Sequence, residues 1–83
     1  MELAGLHGID EAMRGTAAPA EQLRACLHEL QQGRWQTTGD FLRHYPKATY
    51  TGVQEFRIPV YPGLFLDVQC NFPLNLCRII RIA

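Results

Sequence analysis

Charge excess of either sign is missing from this chain: Lys+Arg and Asp+Glu are both 8 among 83 residues, so the formal net charge is zero. Without a global field, nothing draws a polyanion toward the protein, and contact with RNA or DNA would need a local basic patch. Lysine is nearly absent, since seven of the eight basic residues are arginine. That bias favours flat, bidentate recognition of carboxylate or phosphate. No apolar run is long enough to span a bilayer, and there is no cationic, apolar, small-residue leader, so the expected location is the cytoplasm, with no membrane partner. Cysteine is scarce and odd in number, at positions 26, 70 and 77, which fits reduced thiols better than a disulfide framework. A metal held by Cys70, Cys77 and a histidine is conceivable, but the tight pair spacing of zinc sites is lacking. No metal and no cofactor is therefore expected.

Repeats, low-complexity tracts and linkers are missing too, so residues 1–83 read as a single domain. A hydrophobic fraction of 47% with 19% charged residues belongs to a folded chain. A domain of this size buries only roughly 60% of its unfolded surface, so stability should be modest. There is no nucleophile elbow, phosphate-binding glycine loop, HExxH or CxxC. His7, His28 and His44 are isolated, and none has a carboxylate at a spacing that forces an acid/base pair. No residue is therefore nominated as catalytic.

What is present is alternation. Leu64, Leu66, Val68, Cys70 and Phe72 share one parity while Asp67, Gln69 and Asn71 share the other, as in a half-buried strand. Phe56, Ile58 and Val60 repeat the pattern before it, with Glu55 and Arg57 opposite. After it, residues 76–82 are apolar on both parities, which predicts a more enclosed strand. Pro62-Gly63 suits a type II turn and Pro73-Leu74-Asn75 a second reversal. The fold class expected is α+β: a three- to four-stranded antiparallel sheet with two or three N-terminal helices packed on one face.

Met1 to Ala4 can add a short edge strand, and Ile9–Arg14 fits a short helix stopped by Gly15. From Pro19 onward, Leu23, Cys26, Leu27 and Leu30 follow the i, i+3, i+4, i+7 spacing of an amphipathic helix that Gly33 ends. Trp35 should anchor the next turn in the core. Thr37 or Thr38 can cap a short helix through Tyr45, closed by Pro46. Residues 47–51 lead extended into the sheet, with Gly52 as a joint.

Two groups of polar residues are candidate binding sites. The first is the polar sheet face: Arg57, Asp67, Gln69, Asn71, Arg78 and Arg81. The second is a basic patch of Arg34, Arg43, His44 and Lys47 bracketing Trp35 and Tyr45, where arginine and aromatic rings could clamp a phosphate backbone and stack a base. The simpler account has Arg57 pairing with Glu55 or Asp67 across strands, and the remaining arginines solvated.

Arg34-Trp35-Gln36-Thr37-Thr38-Gly39-Asp40-Phe41, followed by His44-Tyr45-Pro46-Lys47-Ala48, resembles the HigB branch of the RelE/ParE toxin superfamily. The likeness continues through Phe56-Arg57-Ile58, Val68 to Phe72, and Ile79-Ile80-Arg81. It implies a RelE-like fold, with element order β-α-α-α-β-β-β, used in that family by ribosome-dependent mRNA interferases that an antitoxin neutralises. Two departures weaken the chemistry. Phe65 or Leu66 stands where the family has a strand arginine, and the family's closing histidine and tyrosine have no counterparts in these 83 residues. The resemblance thus implies a binder that kept the scaffold and lost catalysis. A mobile-element inhibitor that occludes a host protein or ribonucleoprotein, as anti-CRISPR proteins do, would suit it, and pairing of two copies through an edge strand is a further option. The alternative is an mRNA interferase that acts on RNA at the ribosome and has a cognate antitoxin, with its working arginines moved to Arg57, Arg78 or Arg81.

Overall fold

The computed structural model describes residues 1–5 and 17–82. Its elements run β1 (Glu2–Ala4), α1 (Ala17–Gln32), α2 (Thr38–His44), β2 (Thr49–Gly52), β3 (Glu55–Tyr61), β4 (Leu64–Asn71) and β5 (Leu76–Ile82). The helix expected over Ile9–Arg14, and His7, lie outside the described residues.

The period-two pattern of residues 55–71 produces the meander it predicts. β3 pairs antiparallel with β4, placing Ile58 opposite Leu66 and Arg57 opposite Asp67. β4 pairs antiparallel with β5, placing Cys70 opposite Cys77 and Gln69 opposite Arg78. Phe56, Ile58, Leu66, Val68, Cys70, Cys77 and Ile79 are buried on the inner face. Gly63, with φ +83°, supplies the left-handed residue of the Pro62-Gly63 turn. In the second reversal Asn75 takes φ +54°, and the Leu74 N–H donates to Asn71 Oδ1 at 3.1 Å, a local bond that asparagine offers at turns.

The sheet is larger and less uniform than the three or four antiparallel strands expected. It has five strands in the order β1-β5-β4-β3-β2, and β1 runs parallel to β5. Residues 49–52 are not a mere lead-in: they form an edge strand against β3, where the Tyr50 ring meets Phe56 edge-on at 5.3 Å. The hairpin loop is Val53-Gln54, so Gly52 belongs to the strand rather than acting as its joint.

β5 also departs from the expected enclosed strand. Val68 pairs with Ile79 but Asp67 pairs with Arg81, so Ile80 is an extra residue in a bulge. The bulge resets the alternation. Ile79 faces the core before it and Ile82 packs against the core after it, while Ile80 is 48% exposed. Apolar residues on both parities therefore reflect a change of phase, not burial on two faces.

Both helices cover the inner face. Along α1, Ala20, Leu23, Leu27 and Leu30 are buried and Cys26 is half-buried, and each fully buried leucine contributes about 1.5–3 kcal/mol relative to exposure. α2 starts at an N-cap: Thr37 is extended and its Oγ1 accepts from the Asp40 N–H at 3.1 Å. Asp40 in its first turn and Arg43 and His44 in its last complement the helix dipole. Its one fully buried side chain, Phe41, touches Trp35, Phe56 and Phe72 at centroid distances of 5.1, 4.4 and 6.0 Å. With the helices on one side, the opposite sheet face is left uncovered by any described element.

Candidate functional site

Strand parity puts Glu55, Arg57, Asp67, Gln69, Asn71 and Arg78 on that outer face, and the bulge at Ile80 adds Arg81 to it by setting it opposite Asp67. Without the extra residue, Arg81 would take the other parity and point at the core. Asp67 is the hub. Arg57 donates to it through Nε and Nη2 at 2.9 and 3.2 Å, and Arg81 through Nε and Nη2 at 3.1 and 2.9 Å. Hydrogen bonds from Arg57, and then from Arg81, outweigh partial burial and hold the Asp67 carboxyl below the usual carboxylate range. The same bond raises the Arg57 pKa. The Arg57 guanidinium also sits 5.5 Å from the centre of the Phe65 ring, a cation–π geometry. A depression of about 390 Å³ lies here, lined by Thr51, Glu55, Arg57, Asp67, Ile80 and Arg81.

The other expected face residues gather at the opposite side of Gln69. Gln69 and Arg78 are cross-strand partners, and both line a larger depression of about 540 Å³ together with Asn71, Leu76, Val53 and Gln54. Arg78 makes no ion pair among the described residues. Gln54 was not foreseen as part of the site. It stands at φ +60° without being glycine, its backbone carbonyl accepts from the Cys70 N–H at 2.8 Å, and its side-chain Oε1 is buried with no donor among the described residues. Only the Val53-Gln54 pair between two alternating segments could have hinted at a hairpin there.

The alternative basic patch does not assemble around a stacking platform. Trp35 is 8% exposed, its ring turned onto Phe41, His44 and Tyr45. His44 is drawn to α1, its Nε2 lying 2.6 Å from Glu29 Oε1. Arg43 approaches Asp40 at 3.5 Å, and Arg34 and Lys47 are exposed. These side chains hold helices in place or meet solvent, and the rings they would flank face inward.

A constellation not anticipated from sequence lies beside α1, where Cys26, Glu29, Tyr45, Ile58 and Val60 line a depression of about 270 Å³. The grouping resembles a nucleophile with helpers, but the electrostatics oppose it. Burial, ahead of the neighbouring Glu29, pushes the Cys26 thiol up to about 11, so the thiolate that would attack is scarce at neutral pH. Burial likewise raises the Tyr45 hydroxyl, which has no hydrogen-bond partner among the described residues. Cys70 and Cys77 face each other with sulfurs 3.8 Å apart. Among the described residues, no group of three or more His, Cys, Asp or Glu side chains is placed to hold a metal. No helix among them is long and apolar enough to cross a membrane.

No protein-family model matches the chain, and no curated protein is significantly similar to it.

Proposed function

We propose that this is a non-catalytic binding protein on a RelE/HigB-like scaffold, acting in the cytoplasm through the outer face of its sheet. Its partner is a host protein or ribonucleoprotein machine that it occludes, in the manner of a mobile-element inhibitor such as an anti-CRISPR protein. The scaffold reading is supported by the element order, in which an initial strand precedes helices and a closing antiparallel meander. The observation that carries the functional reading is the Arg57–Asp67–Arg81 ladder. Cleaving a phosphodiester by 2′-OH attack requires a proton acceptor and cations free to meet charge as it develops. Here both ladder guanidiniums already share one carboxylate, and the described histidines His28 and His44 lie on the helical side. A fixed alternation of charge suits recognition and orientation of a partner better than turnover.

Expression in a bacterial host without an antitoxin tests this. Growth should be unaffected and translated mRNA intact, and a host complex captured by the wild-type chain should be lost when Arg57 and Arg81 are both changed to glutamate. Growth arrest with cleavage of translated mRNA, abolished by Arg81→Ala, would overturn the proposal. The second reading, an mRNA interferase held by an antitoxin, is favoured by one feature: Arg78 has no carboxylate partner among the described residues. On that reading Asp67→Asn should raise activity, because it frees two more guanidiniums.

A further inference from the structure

We infer that the depression between the two turns at one end of the outer face binds the carboxylate of a peptide together with the amide N–H beside it. The inference deepens the binding-face reading by naming what one part of that face recognises. It rests on the placement of one unmet acceptor and one unmet cation.

Gln54 supplies the acceptor. Its side-chain carbonyl is buried without a donor among the described residues, on a backbone held at φ +60°. Burying an acceptor without a donor is costly, and a non-glycine residue in the left-handed region is the kind of stored strain that clusters at ligand sites. Arg78 supplies the cation: it is exposed, lies directly across from Gln69, and makes no ion pair among the described residues. Asn71 already uses its Oδ1 to accept from the Leu74 N–H, which leaves its amide nitrogen to donate.

The placement of these two groups selects the ligand. Gln54 lies in the turn before β3 and Arg78 on β5, so β4, with Gln69, runs between them along the depression. A group entering here must present a donor toward Gln54 and a negative acceptor toward Arg78. The last residue of a peptide does this, and so does an aspartate or glutamate within one. Val53, which is 81% exposed, and Leu76 offer apolar surface for a neighbouring side chain, and the volume of about 540 Å³ falls within the range of small-ligand sites. A nucleic-acid strand fits less well, because one unpaired guanidinium cannot neutralise a run of phosphates.

Titration of the 15N-labelled protein, followed through the side-chain amides of Gln54, Gln69 and Asn71 and the Arg78 Nε–H, tests the inference. The probes are acetyl-Ala-Val-Leu with a free C-terminus, the same peptide amidated, acetyl-Ala-Asp-Ala-amide, and inorganic phosphate. Saturable shifts are expected from the free acid, with at least tenfold weaker binding by its amide. Tighter binding of the aspartate peptide than of the free acid would assign the source to an acidic side chain, equal binding would show that either carboxylate is taken, and both would support the site. Arg78→Gln and Gln54→Gly should each weaken binding at least tenfold, and Gln54→Gly should do so while raising the melting temperature, because glycine relieves the backbone. Full affinity in both variants, equal binding of the amidated peptide, or phosphate binding as well as the free acid would overturn it. If no peptide binds while the double glutamate variant still loses the captured partner, this inference falls and the broader reading of the face survives.

Discussion

The indole of Trp35 occupies the space that a side chain on residue 33 would need. A Cβ built on Gly33 would lie 2.1 Å from the Trp35 Cη2 and 2.5 Å from its Cζ2. The glycine that ends α1 is therefore required by packing. Gly33→Ala should displace the ring, costing about 1–3 kcal/mol as overpacking does. Denaturant midpoints should fall, and tryptophan emission should shift to the red as Trp35 meets water.

Phe41 joins the second helix to the sheet, fully buried among Trp35, Phe56 and Phe72. Phe41→Ala should cost about 3–5 kcal/mol. A domain of this length holds roughly 4–12 kcal/mol in total, so a large share of the variant should be unfolded in urea concentrations that leave the parent native. Phe41→Leu should recover most of the loss.

Asp67 should leave a signature on the pH dependence of stability. Its folded pKa is depressed, by the hydrogen bond from Arg57 first. Its contribution is therefore fully present above the unfolded value of about 4 and is lost as pH falls through the folded value. Asp67→Asn should unfold more readily than the parent near neutrality, and the two denaturation curves should converge as acid protonates the parent's carboxyl. Parallel curves down to pH 2 would contradict the ladder.

The thiols should resist modification while the chain is folded. Burial pushes Cys26 up to about 11, and a hydrogen bond with Cys70, then burial, raises Cys77. At pH 7.5 a thiol reagent such as Ellman's should label the native protein slowly and the urea-unfolded protein at once.

What could be read from the residues alone follows a physical division. The stripe Leu23, Leu27, Leu30 and the alternation of residues 55–72 are local patterns with wide energetic margins, and both elements form where they predict. The polar face followed from the same parity, which is why Arg57, Asp67 and Gln69 fall together. The bulge at Ile80 was hidden, because isoleucine there satisfies a buried strand equally well and only pairing with β4 distinguishes the two. Gln54 was hidden because a left-handed residue normally announces itself as glycine or asparagine. Residues 49–52 were read only as a lead-in, and the short edge strand at residues 1–4 was foreseen without its partner, because three residues carry no sign of the strand they will join.

That last strand sets an order of events. Glu2, Leu3 and Ala4 lie beside Leu76, Cys77 and Arg78, so residues 2–4 leave the ribosome well ahead of the strand that matches their amides. During synthesis Leu3 has no companion strand, and an emerging intermediate would expose the flank that β1 finally closes. That edge of the sheet closes only once β5 has followed β1 into the open.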